Sequence, residues 1–506
     1  VEKLRQEVLL PLMTGKRHST LLTGGAPVLI SFVKNLLLEL GQRYSCEPTL
    51  AETIVANASS ADVSLDDDES MPPSRVGRPR RYALPLLVAA HYLHQDETAG
   101  EALRALELQK AEVISAISRS CGWSDGLASD SQIPSIQAVK RFLGRIRNCS
   151  EDIASSAHQI ARADAVEKAT MLGLPDRSKG SQILPNKAAS LISDGSFWSA
   201  ASSHTPSSTF VDKQTGEIRK RRVDLDAHYH NSHREETCNR EGEKKSEIDE
   251  RYAGPGYKFV VSLLSSNTYS NERIILDVLP LLKRVDDQNS EPDLLLKSAS
   301  WIKKELPDIN GLIYDKAIRG VNVNRVWELG YNPIIPLFEN KKPVLMRRMK
   351  RGKVQFDVYA DGSPAIQTAP GIFRKLKPMS LKFRQHKRDD KLIPYGRYMI
   401  TKDIDCDPRL HGYTFDIRLD KSASGVPLGE YLRAIDPTSR EFLDLYHARP
   451  EIESLFNNMK GTAQERRRRC RHYGYTLNWL DRINQMLRRN QMALMNFQKR
   501  NGLSPG

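Results

Sequence analysis

The sequence predicts an α/β protein, with a core of alternating strands and helices, an inserted mostly β subdomain, and a separate helical region ahead of both. Three observations predict it. Between residues 185 and 340, short apolar runs alternate with helix-like segments, an order that builds one sheet with helices packed on it. Between 341 and 435, β-prone pieces separated by Gly, Pro and Asp replace that alternation. Ahead of residue 165 the helix-like stretches flank a Ser/Asp/Pro-rich linker.

In chain order, residues 1–75 form a helical region and linker: 28–40 has helix-like apolar content, and 59–74 is the linker. Residues 76–165 read as a helical DNA-binding domain. Its Gly77-Arg78-Pro79-Arg80-Arg81 suits either a minor-groove arm or a basic linker. Ser135 is an N-cap for a helix over 136–146 carrying Lys140, Arg141 and Arg145, which fits the recognition helix of a helix-turn-helix or a plain amphipathic helix.

The core over 185–340 opens with Ala188-Ala189-Ser190-Leu191-Ile192-Ser193-Asp194-Gly195-Ser196, an apolar run ending in an acid; its Asp-Gly also suits an ordinary turn. A strand is expected over 257–264. Next comes a mixed segment over 273–282, whose Ile-Ile-Leu start is a strand leading into helix, then a helix over 294–306. Gly311-Leu312-Ile313-Tyr314-Asp315 is a second buried strand ending in an acid. A helix over 321–329 follows, Gly330 stops it, and a strand runs over 332–337. The subdomain at 341–435 takes its strands from pieces such as 354–359, 396–401 and 413–419.

The last region, 436–506, holds Tyr446, Arg449, Glu453 and Lys460 at the spacing Y-x2-R-x3-E-x6-K. On one helix at about 100° per residue these four project within roughly 60° and form one face. Ile452, Leu455, Phe456 and Met459 make an apolar stripe beside it. A carboxylate flanked by cations suits a metal-bound phosphodiester: Glu453 for a hard divalent ion, Arg449 and Lys460 for phosphate oxygens, and Tyr446 for positioning. Pro450 lies inside the signature and opposes a continuous helix.

These residues resemble the Tyr-Arg-Glu-Lys signature of DDE transposases of bacterial insertion sequences. The resemblance covers about residues 185–500 and implies an RNase-H-like catalytic core. There the first acid lies on the first strand, the second at the end of a later parallel strand, and the third on a helix packed against the sheet. Asp194, Asp315 and Glu453 occur in that order, with Asp224 or Asp226 as replacements for the first. The family implies two Mg2+ ions on these acids, with Mn2+ able to substitute. It also implies double-stranded DNA, as element ends and as target, for a partner, and a homodimer on that DNA. The alternatives are a structure-specific nuclease on the same fold and a transposase-derived DNA-binding protein that no longer cuts.

Composition agrees with a polyanionic partner, since 76 Lys+Arg against 62 Asp+Glu leave a net charge of +14. The excess clusters at 346–353, at 374–388 and at Arg466, Arg467, Arg468 and Arg469, where DNA would pass beside the signature. The six cysteines are scattered without a C-x2-C pair, which fits reduced thiols in a cytosolic protein; the resemblance implies a bacterial cytoplasm, at the nucleoid. Apolar runs such as 84–93 are too short to span a bilayer. His228, His230, His233 and Cys238 fit no zinc spacing and read as a polar loop cluster. Without a Walker-type phosphate loop or H-E-x2-H, an ATP-driven motor and a zinc hydrolase have no support.

Overall fold

A computed structural model describes residues 151–502, apart from 177, 179, 203–208, 213–214, 222, 231–236, 239–243, 246–253, 282–289, 338–341, 387–390, 461–469 and 471. The expected N-terminal domains up to residue 150, His233 and the run Arg466 to Arg469 lie outside the described residues. In chain order the elements are α1 (Glu151–Met171), β1 (Ser190–Ser199), β2 (Thr209–Val211), β3 (Ile218–Lys220), β4 (His228–His230), β5 (Thr237–Cys238) and β6 (Lys244–Lys245). There follow β7 (Gly254–Ser265), β8 (Arg273–Leu281), α2 (Glu291–Glu305), β9 (Gly311–Ile313), α3 (Gly320–Glu328) and β10 (Asn332–Ile334). The inserted strands are β11 (Val344–Arg351), β12 (Val354–Asp361), β13 (Ser363–Ala369), β14 (Ile372–Lys375), β15 (Lys377–Gln385), β16 (Leu392–Met399) and β17 (Thr414–Arg418). Three helices close the chain: α4 (Arg440–Tyr446), α5 (Pro450–Lys460) and α6 (Tyr475–Arg500). The structure is mixed α/β, and its described residues fall into two units: 151–164, 198–256 and 460–495 form one, the remainder the other.

In the larger unit the sheet runs β10-β9-β1-β7-β8. β1 and β10 both pair parallel with β9, with Ile192 and Ile334 opposite Ile313. β7 and β8 pair antiparallel from Lys258↔Leu281 to Ser265↔Arg273. Leu191, Ile192, Leu312, Ile313 and Ile334 are fully buried, which is why these strands read as unbroken apolar runs and not as alternations. Three serines that enter this core bond to one another: the Ser193 and Ser298 hydroxyls donate to Ser262 Oγ at 2.8 and 3.2 Å.

Two expectations need correction here. The segment expected to pass from strand into helix is strand over Arg273–Leu281, because Ile274 to Leu279, Asp277 included, are all buried on both faces and such a run carries no helical or alternating period. The helix expected from residue 294 begins at Glu291, where Ser290 and Asp293 form a capping box: each side chain accepts from the other's backbone N–H. Downstream, Gly330 takes φ +83° just past α3, the left-handed turn that favours glycine at a helix end.

The insertion comprises a four-stranded antiparallel sheet, β11-β12-β13-β14, and a three-stranded one, β15-β16-β17. Phe356 of β12 meets Phe415 of β17 edge-on at 5.7 Å, joining them. Arg433 closes the excursion. Its buried guanidinium donates to the carbonyls of Ile335, just past β10, at 2.6 Å and of Gly429 and Leu432 at 2.7 Å.

In the smaller unit β4 pairs with residues Gly254 to Gly256 of β7. Asp224 and Asp226 accept the N–H groups of Gly474 and Tyr475 at 3.0 and 3.1 Å, capping the start of α6. His228 and His230 lie in a strand and Cys238 in another, so the expected loop cluster is not a loop at these positions. Among the described residues, no helix is long and apolar enough to cross a membrane.

Candidate active site

Parallel pairing positions the first two acids. Asp194 lies two residues beyond Ile192 and Asp315 two beyond Ile313, and those isoleucines are paired between β1 and β9. Both carboxylates therefore emerge at the carboxyl end of this parallel pair, the usual place for a ligand site in such a sheet. Asp194 is not in a turn: β1 continues through it and Gly195 to Ser199.

The signature does not form one helix. α4 ends at Tyr446 and α5 begins at Pro450, which has no N–H to continue the ladder. The intervening turn is tight, with the N–H groups of Ala448 and Arg449 donating to the carbonyls of Leu445 and Tyr446 at 3.0 and 2.9 Å. This corrects the common face expected for Tyr446, Arg449, Glu453 and Lys460. The apolar stripe is as expected, with Ile452, Leu455, Phe456 and Met459 all buried.

The turn delivers Arg449 to the acids. Its Nη2 stands 3.0 Å from Asp194 Oδ2 and 3.9 Å from Asp315 Oδ2, and its Nη1 stands 2.6 Å from Glu453 Oε1. One guanidinium thus touches three carboxylates drawn from β1, the loop after β9, and α5. Tyr446 is half-buried near the same charges. Burial raises its hydroxyl above the ordinary range, with Arg449 opposing and Asp315, Asp194 and Glu453 adding to the rise. Lys460, the last residue of α5, stands over the ring of Trp198 at 4.7 Å.

Asp194 is the most perturbed member. Its side chain is 10% exposed against 49% for Glu453. Burial pushes its carboxyl up to about 7; Arg449 opposes the rise, Asp315 and Glu291 add to it, and the Gly195 N–H, donating at 2.9 Å, lowers it. Asp315 is also raised, by burial first, against the Ala317 N–H that donates to it at 2.8 Å. Burial also works against the charge of Arg449, but Asp194, Tyr446, Glu453 and Asp315 outweigh it and hold the guanidinium above its ordinary range.

Sequence reading missed two carboxylates. Glu451 pairs with Lys187 at 2.7 Å and accepts from the Ser265 hydroxyl, while Arg273 donates to its backbone carbonyl at 2.6 Å. It docks the first turn of α5 onto the turn just before β1, the end of β7 and the start of β8. Glu291, the first residue of α2, accepts from the Tyr314 hydroxyl and pairs with Lys258. Their partners are distant in sequence, so no local spacing could have singled them out; the only visible signal was an acid beside a helix start. Among the described residues, no group of three or more His, Cys, Asp or Glu stands close enough to hold a metal ion as the side chains lie. The chain matches no known protein family and no curated protein in sequence.

Proposed function

We propose that the chain is a DDE transposase with an RNase-H-like core, which binds element ends and carries out divalent-metal-dependent DNA strand cleavage and strand transfer. The observation that carries this reading is the contact of one guanidinium, Arg449, with Asp194, Asp315 and Glu453. Three carboxylates far apart in the chain meet there in the order and on the elements that the resemblance implies: the first strand, the end of a parallel strand, and a later helix. The insertion between the second and third acids is mostly β, which also supports it.

The donor set fits hard divalent cations. Asp194 and Asp315 are neighbouring oxygen donors at one sheet end, and burial together with the other's charge disfavours ionisation of Asp194. A nearby dication relieves such a penalty. Asp194, Asp315 and Glu453 would hold the pair of Mg2+ ions, or Mn2+ in their place. Bound there, two such ions supply Lewis acidity to both the attacking and the leaving oxygen of an in-line displacement at phosphorus. Arg449 and Lys460 bind DNA phosphate, and Tyr446 positions it. The arginines 466–469 and the region ahead of residue 165 bind DNA beyond the scissile step, and the protein acts as a homodimer on it.

The test is DNA cleavage by the purified protein. Mg2+-dependent nicking is expected, and Asp315→Asn and Glu453→Gln should abolish it while folding and DNA binding persist, because each removes a charged ligand at nearly constant size. Cleavage retained by either variant would overturn the triad. Nicking without strand joining would instead indicate a nuclease, and binding without nicking a DNA-binding derivative.

A further inference from the structure

Glu291 touches the chain beside both of the first two acids. Its carboxylate accepts from the hydroxyl of Tyr314, the residue immediately before Asp315, and pairs with the ammonium of Lys258 on β7. On the other side lies Gly195, the residue immediately after Asp194. A Cβ built there would overlap the Glu291 carboxylate and stand 2.8 Å from Lys258 Cε. Only a residue without a side chain admits Glu291 at this depth.

The bracket links β7, β1 and the loop after β9 through one side chain that is 13% exposed. Buried so far, a carboxylate requires its donors, and both oxygens have one: Tyr314 on Oε1 and Lys258 on Oε2. Its place in the first turn of α2 adds the partial positive charge of the helix end. A neutral acceptor could have held Tyr314 equally well. A charged one also holds the Lys258 ammonium of β7.

We propose that Glu291, held by Tyr314 and Lys258, is a positioning residue that sets the spacing of Asp194 and Asp315 and thereby the affinity of the site for divalent cations. The inference rests on the transposase reading. It assigns Glu291 no contact with DNA; its effect passes through the two aspartates.

Calorimetric titration of the full chain with Mn2+, beside circular dichroism, melting temperature and DNA nicking, tests it. Glu291→Gln should keep the wild-type circular dichroism and weaken Mn2+ binding about 10- to 100-fold, as loss of a residue supporting metal ligands typically does. Tyr314→Phe should weaken it in the same direction. The double variant should bind no worse than Glu291→Gln alone, because Tyr314 acts through Glu291. Saturating Mn2+ should restore nicking to Glu291→Gln but not to Asp315→Asn. Affinity within twofold of wild type for Glu291→Gln, or additive losses in the double variant, would overturn the proposal. If Glu291→Gln misfolds, Tyr314→Phe decides alone: unchanged affinity overturns, weakened affinity supports. A wild-type chain that binds no Mn2+ would overturn the metal reading and this inference together; wild-type binding with unaffected variants would overturn this inference only.

Discussion

Asp194 shows how a single side chain can be held against its own stability. Its folded carboxyl titrates at about 7, whereas in an unfolded chain an aspartate titrates near ~3.9. Because the folded value is the higher, the ionisation penalty is absent below about pH 4, grows as pH rises, and is complete above about pH 7; it reaches up to about 4 kcal/mol. Asp194→Asn carries no such penalty. Without added metal, the melting temperature of that variant relative to wild type should therefore climb from pH 5 to pH 8, followed by scanning calorimetry. A difference that stays constant across that range would contradict the burial argument. At this scale the sequence was legible only where the neighbours were local. Asp194 and Asp315 each end an apolar run, so strand and acid could be read together. Glu291 and Glu451 answer to Tyr314, Lys258, Lys187 and Arg273, partners that come within reach only after the chain has folded.

At the scale of elements, punctuation by Gly and Pro was informative and apolar content was not. Gly330 ended α3 as read, and Pro450 broke the signature as its missing N–H requires. The Ile274–Pro280 stretch, by contrast, is buried on both faces, and a mostly apolar run of this kind does not distinguish strand from helix. The insertion was legible as β because its strands are separated by turn residues, but the way its ends are held was not. Arg433 is buried among backbone carbonyls, and removing it leaves several buried acceptors unsatisfied. Arg433→Met should cost about 2–5 kcal/mol in denaturant unfolding. A loss under ~0.5 kcal/mol, the range of ordinary surface substitutions, would show that water or other donors replace the guanidinium.

For the whole molecule, the excess positive charge sets what the proposed binding to DNA should look like. With a net charge of +14, binding should weaken steeply with salt. Replacing Arg466, Arg467, Arg468 and Arg469 by Ala should flatten the plot of log affinity against log salt by about 0.9 for each DNA phosphate that is no longer neutralised. Binding isotherms at several salt concentrations measure this directly, and an unchanged slope would assign the run to solvent.

The tie at Arg433 has a consequence for how such a protein can vary. The chain leaves the sheet after β10 and returns at residues 429–433, and the same guanidinium holds both ends. The path between those ends can lengthen or shorten at small entropic cost, because closing a loop depends only weakly on its length. The distance from Asp315 to Glu453 is then insulated from whatever the insertion becomes, so the insertion can diverge while the carboxylate cluster keeps its geometry.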